Sequence, residues 1–208
     1  MKIQQIFRNN RRWLKSKIDL DKDYFSKLSR GQSPKILYIG CSDSRVPAEE
    51  FMGVHPGQVF VYRNIANLVP NTDLSAMSVI NYAVEHLKVS HIVVCGHYQC
   101  GGVKAAMQQE DLGILNPWLR NIRDVYRTHQ EELDRIRNSN LRYRKLIEFN
   151  VIEQCLNVLK TAEVQKAYLE RNLTVHGWVM DLHSGLLLDL NVDFPALMER
   201  IMKIYRIV

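Results

Sequence analysis

Cys41, His97 and Cys100 are the residues of this chain whose types and spacing point most directly to chemistry. His97 and Cys100 stand in the string Gly96-His97-Tyr98-Gln99-Cys100-Gly101-Gly102, where an H-x-x-C spacing lets an imidazole and a thiolate from one turn reach the same ion. Cys41 opens a second polar loop, Gly40-Cys41-Ser42-Asp43-Ser44-Arg45, and offers a third ligand. A mixed sulfur and nitrogen set favours Zn2+, and three protein ligands leave a fourth position open, as in catalytic zinc sites. No second C-x-x-C pair accompanies the set, which argues against a zinc ribbon or finger. Taken alone, H-x-x-C arises by chance about as readily as by function; the Cys-x-Asp-x-Arg loop is what strengthens it.

Charge counting explains why Asp43 and Arg45 matter. Two thiolates cancel the double positive charge of the metal, so such a site acidifies water less readily than three neutral histidines would. Asp43, two residues from a ligand, can accept a hydrogen bond from the nucleophile, and Arg45 can hold that carboxylate in a forked ion pair. The pair is also a possible switch, since Asp43 turned away from Arg45 could take the fourth metal position. The plain alternative is a structural ion pair in a loop.

The elements that position these loops are legible as strands and helices. Short apolar runs at Lys35 to Gly40, Val59 to Arg63 and His91 to Cys95 predict strands, the first and third ending at the two chemical loops. Helical spacing marks residues 73–87, and long helical patterns cover roughly 116–138 and 141–170. Leu173 to Met180 and Leu186 to Val192 read as a closing hairpin, followed by a helix over about Pro195 to Tyr205. Strands alternating with helices predict an α/β fold with a mainly parallel central β-sheet, an antiparallel edge strand and flanking helices. Ligand sites of open α/β sheets lie beyond the carboxyl ends of the strands, so both loops are candidates to face one crevice. Residues 5–29 predict an N-terminal helical arm, with Ile6, Trp13, Leu14, Ile18, Tyr24, Phe25 and Leu28 as its apolar positions. One domain over 1–208, with 1–30 as the arm, is the expected organisation.

Composition narrows the class. The 208 residues hold 28 basic and 22 acidic side chains, a net charge of +6. The surplus is scattered among acids on helical faces, as between Arg120 and Lys145, so no nucleic-acid partner is expected. No apolar run approaches the roughly 20 residues that cross a bilayer, so no membrane partner is expected either. Four cysteines without a secretion signal read as reduced thiols, and the expected location is cytoplasmic. Cys95 and Cys155 fall in apolar patterns and read as small buried residues.

Three strings together, Cys41-Ser42-Asp43-Ser44-Arg45-Val46, Arg63-Asn64-Ile65-Ala66-Asn67 and Gly96-His97-Tyr98-Gln99-Cys100-Gly101-Gly102, resemble the β-class carbonic anhydrases in identity and spacing, over about Ile6 to Asp189. The resemblance implies zinc on Cys41, His97 and Cys100, with Asp43 and Arg45 as the catalytic dyad and Asp43 as the fourth ligand of a closed state. It implies reversible hydration of carbon dioxide to bicarbonate and a proton, by hydroxide generated at the metal. It maps substrate-binding positions onto Gln32, Phe60, Ile65, Tyr82, Gly101 and Gly102. It also implies a homo-oligomer, dimer or tetramer, with the arm packing on a partner subunit. Some bacterial members carry a regulatory bicarbonate site made of Trp, Arg and Tyr. The matching positions here are Tyr38, Arg63 and Met180, a partial match, since Met180 cannot donate the tyrosine's hydrogen bond. The alternatives are a carbonyl sulfide or carbon disulfide hydrolase on the same scaffold, or a non-catalytic zinc protein with Asp43 as permanent ligand.

Overall fold

The chain's β-branched runs and its amphipathic segments fold as two units. The computed structural model describes residues 2–207, divided between Ser33 and Pro34 into an N-terminal and a C-terminal unit.

The first unit is a pair of helices, α1 (Gln4–Leu20) and α2 (Tyr24–Leu28). Trp13 of α1 meets the rings of Tyr24 and Phe25 edge-on, with centroids 6.5 and 5.4 Å away. Lys27 Nζ donates to Asp21 Oδ2 at 2.8 Å across the bend. No residue of α1 is buried, and Phe7, Leu14 and Leu20 are exposed.

The second unit is built on five strands: β1 (Ile36–Cys41), β2 (Val59–Asn64), β3 (His91–His97), β4 (Thr174–Met180) and β5 (Leu187–Asp189). Their order is β2-β1-β3-β4-β5, parallel throughout except for β5, which runs antiparallel at the edge. This is the architecture that the alternation of strands and helices predicts. β1 and β3 are buried almost end to end, which is why they read as continuous apolar runs rather than alternating ones.

Leu37, Ile39, Ile92 and Val94 face the larger core, shared with the helices α4 (Leu74–Asn81), α5 (Gly101–Ala106), α6 (Leu115–Thr128), α7 (Gln130–Arg135), α8 (Ser139–Leu159), α9 (Ala162–Arg171) and α10 (Phe194–Ile204). Tyr38, Val93, Cys95 and Met180 face the other side and pack with Val46 and with Ala48 of the short helix α3 (Ala48–Phe51). α8 lies so close to the sheet that a Cβ on Gly96 would stand 2.6 Å from Val151 Cγ2; only glycine fits there.

Three helical expectations change in detail. The pattern over 116–138 is broken at His129 into α6 and α7, and the pattern over 141–170 is broken at Lys160 and Thr161 into α8 and α9. Thr161 has extended backbone angles, φ −82° and ψ 144°, so the chain turns although its apolar spacing continues. The helix expected over 73–87 is α-helical to Asn81 and continues as a wider π-turn over Tyr82–His86.

Sheet order sets the position of the site. The chain leaves β1 toward β2 on one side, and leaves β3 toward β4 on the other. The connections diverge, opening a crevice beyond the carboxyl ends of β1 and β3. Gly40 pairs with Cys95 in register, so Cys41 and His97 emerge at the same edge of the sheet.

Candidate metal centre

Cys41 closes β1, His97 closes β3, and Cys100 starts α5; all three are buried, and their ligand atoms lie within 4.8 Å of one another. The two sulfurs are 3.9 Å apart. Two thiolates on one tetrahedral zinc, at about 2.3 Å each, would stand about 3.8 Å apart. His97 Nδ1 faces the carbonyl of Tyr98 at 3.0 Å, and a carbonyl only accepts, so Nδ1 carries the proton. Nε2 is left with its lone pair, buried and without any hydrogen-bond partner. A buried imidazole nitrogen aimed at two converging thiols costs free energy unless something binds it. These donors fit a thiophilic divalent ion.

The thiols themselves are prepared for it. The S–H of Cys100 beside Cys41 draws the Cys41 proton affinity well below the ordinary thiol range, against the opposing effect of burial. Cys100 is pushed the other way, by that same contact and by its own burial. A dication bound between the two sulfurs would take the place of their remaining proton. Backbone N–H groups of Ala66 and Asp43 favour the Cys41 thiolate, and those of Val103 and Gly102 favour that of Cys100. Cys95 lacks this help: burial lifts it to about 12, and burial also holds Cys155 far above the thiol range. Both behave as the small apolar residues that their positions predict.

Asp43 and Arg45 form the fork. Arg45 Nε donates to Asp43 Oδ1 at 2.9 Å and Nη2 to Oδ2 at 2.7 Å, while the Arg45 backbone N–H adds a bond to Oδ1 at 3.0 Å. These bonds hold the Asp43 carboxyl well below the usual carboxylate range. Its Oδ2 stands 3.8 Å from His97 Nε2, beside the ligand set. Arg63 on β2 pins the loop from beneath, its Nε donating to Cys41 O at 2.8 Å and its Nη2 to Asp43 O at 2.5 Å.

Arg63 is thereby committed to the Cys41–Asp43 backbone. Tyr38 is buried and Met180 nearly so, in the cluster on the second sheet face. Of the remaining expected positions, Ile65 and Gly102 come together: a Cβ on Gly102 would stand 2.7 Å from Ile65 Cγ2 and 3.2 Å from Ala66 Cβ. Gly101 has open space where its Cβ would be. Phe60 and Tyr82 pair with each other, ring centroids 5.7 Å apart. Gln32 belongs to the N-terminal unit and is exposed.

The sequence reading missed a layer of supporting residues. Tyr143 Oη donates to Cys100 O at 2.6 Å, and Trp118 Nε1 donates to Ile65 O at 2.9 Å. Asn150, fully buried on α8, donates through Nδ2 to Ala66 O at 3.0 Å. Ala66 sits in left-handed backbone, φ 64°, in the turn that faces Cys41. Gln154 donates to Asn150 Oδ1 at 3.2 Å and accepts from Val69 N at 2.8 Å. A polar Asn and Gln four residues apart on the apolar face of a helix were the available signal.

The carbonic anhydrase family profile matches residues 36–187. A carbonic anhydrase of Emericella nidulans is 62% identical over 204 residues, covering 98% of this chain and 90% of that protein. The crystal structure of a β-carbonic anhydrase of Aspergillus fumigatus superposes with a TM-score of 0.94 at 37% identity and covers all of both chains. One of two β-carbonic anhydrases of Sordaria macrospora, described as tetrameric, superposes at 0.88 with 40% identity, over 91% of this chain and 96% of that one. None of these relatives supports the sulfide-hydrolase or non-catalytic alternatives. With the strand-end cysteines, the histidine and the Asp–Arg fork in place, this chain belongs to the β-class carbonic anhydrases.

Proposed function

We propose that this carbonic anhydrase works with Zn2+ held by Cys41, His97 and Cys100, and that Asp43 and Arg45 are its catalytic dyad. The observation that carries the reading is the orphaned, buried Nε2 of His97 facing two sulfurs 3.9 Å apart. Bound there, zinc supplies the Lewis acidity that makes a nucleophile from water near neutral pH. Asp43 Oδ2, beside the ligand set, accepts the hydrogen bond of the attacking oxygen and turns a lone pair toward the carbon of carbon dioxide. As the new C–O bond forms, one C=O electron pair moves onto oxygen and bicarbonate results; the proton lost by water leaves to buffer. Arg45 keeps the carboxylate charged and pointed, and prevents it from taking the fourth metal position.

The substrate is small and apolar, and Ile65 beside Gly102 suits a non-polar wall near the metal. Phe60, Tyr82 and Gly101 complete the proposed lining. The enzyme works as an oligomer, dimer or tetramer, with the arm on a neighbouring subunit. The exposed Phe7, Leu14 and Leu20 of an arm helix with no buried residue support this, as does the tetrameric relative. Four cysteines, all free and buried, suit the reducing cytoplasm. Among the described residues, no helix is long and apolar enough to cross a membrane.

Stopped-flow hydration of carbon dioxide, with a pH indicator and with parallel metal analysis, tests the reading. Activity that rises with one zinc per chain and disappears on chelation is expected. Zinc-independent hydration, or none from pH 7 to 9, would overturn it.

A further inference from the structure

His91 and His176 lie outside the metal centre, on the neighbouring parallel strands β3 and β4. The register sets His91 opposite Thr174, and Thr174 and His176, two residues apart, share a face of the sheet. The three side chains converge. His91 Nδ1 is 2.6 Å from Thr174 Oγ1, Thr174 Oγ1 is 3.0 Å from His176 Nε2, and the two ring nitrogens are 3.3 Å apart. Without a cation, such a contact needs one ring nitrogen as donor and the other as acceptor; a bound ion would take the lone pairs of both. Two nitrogens on one tetrahedral zinc, at about 2.05 Å each, stand about 3.3 Å apart.

The surroundings also suit a cation. Thr174 and His176 line a cavity of about 420 Å3 together with Asp189, Asn191 and Asp193. The cavity has room for the water ligands that a site of few protein donors needs. Burial, together with His91, holds His176 below its ordinary value against the opposing charge of Asp189, in the neutral form that metals take.

We propose that His91 and His176 form a second divalent-cation site, for Zn2+ or a neighbouring late transition ion, with Thr174 Oγ1 as its third donor, beside the cavity that Asp189 also lines. Two imidazoles and oxygen donors make a borderline set, unlike the thiolate-rich site at Cys41, and the ion here is exchangeable with solution.

The test is calorimetric titration of Zn2+ into the untagged full-length holoenzyme, already loaded at its cysteine site and washed free of excess metal. One further saturable ion per chain is expected. His91→Ala and His176→Ala should each weaken it by about tenfold or more, the loss of one ligand. Both variants should keep their carbonic anhydrase activity and their tightly held metal, and His55→Ala, at an exposed histidine remote in sequence, should bind the second ion unchanged. Should either alanine variant melt early, His176→Gln keeps size and hydrogen bonding and is read in its place. Absence of a further ion in the parent, or binding equally tight in the histidine variants, overturns the proposal; in that case the cluster is a hydrogen-bonded triad only.

Discussion

Asp43 holds its Oδ2 3.8 Å from Nε2 of His97, while the same oxygen takes a 2.7 Å hydrogen bond from Arg45. One carboxylate therefore stands at the boundary of two environments: the buried donor set on one side, and a half-exposed guanidinium on the other. A short swing about the Asp43 side chain would exchange one for the other. Arg45 is the group that opposes that swing, with the backbone N–H of Arg45 closing the fork at Oδ1.

Removing the fork should uncouple metal binding from turnover. Arg45→Ala is expected to keep a full complement of metal and to lose about ten- to a hundredfold in kcat, the range seen when partners behind a metal site are lost. A metal-edge spectrum of that variant should show a carboxylate oxygen joining two sulfurs and one nitrogen. Asp43→Ala should likewise keep the metal and lose rate, without gaining that oxygen. Full activity in Arg45→Ala would remove the dyad from the mechanism.

The cysteines should behave in the opposite way. Cys41→Ala or Cys100→Ala leaves one sulfur and one imidazole, and both variants are expected to lose metal on gel filtration and to lose activity with it. Chelation of the parent should produce the same destabilisation as either variant, because the bound ion stabilises only the folded chain. For an ion present at about a thousand times its Kd, the linkage amounts to about 4 kcal/mol. Thermal melting with and without chelator reads it, and Cys95→Ala, remote from the donor set in chemistry, should retain its metal.

How far these residues could be read from the sequence follows from how local their partners are. Asp43 and Arg45 are two residues apart and lie in one loop, so their fork is visible without a fold. Cys41, His97 and Cys100 need only the rule that strand ends share an edge, and the continuous apolar runs of β1 and β3 supply it. Tyr143 and Trp118 were invisible for the opposite reason, and Asn150 showed only as a polar residue on an apolar helix face, with nothing to name its partner. Each acts on a backbone carbonyl far away in sequence, and a carbonyl leaves no trace in residue identity. The breaks at His129 and Thr161 were hidden because apolar spacing continues through them while the backbone turns. The pairing of Phe60 with Tyr82 likewise depends on where the π-turn carries Tyr82, which no periodicity records.

Gly102 and Gly101 are neighbours of equal composition with different constraints. A methyl group on Gly102 would meet Ile65 Cγ2 at 2.7 Å and Ala66 Cβ at 3.2 Å, so Gly102→Ala must displace the turn that faces Cys41. Overpacking of this kind costs about 1–3 kcal/mol. Gly101→Ala meets nothing and should change stability by less than about 0.5 kcal/mol. Urea unfolding of the two variants separates these outcomes, and equal midpoints would contradict the close approach.

Asn150 is expected to matter for the metal through Ala66. Its Nδ2 satisfies Ala66 O, and its Oδ1 accepts from Gln154, all within the buried interior of α8 and the sheet. Ala66 is a non-glycine residue in left-handed backbone, a conformation that persists only where surrounding bonds enforce it. Asn150→Ala leaves the Ala66 carbonyl and the Nε2–H of Gln154 without these partners, at about 1–3 kcal/mol for each buried group. Relaxation of Ala66 would also turn its N–H away from Cys41, weakening the thiolate and with it the hold on the metal. The variant should therefore melt earlier and release metal to a competing chelator faster than the parent. Asn150→Asp, which keeps the acceptor for Gln154 but cannot donate to Ala66, should reproduce the metal release; retention as firm as in the parent would confine Asn150 to packing.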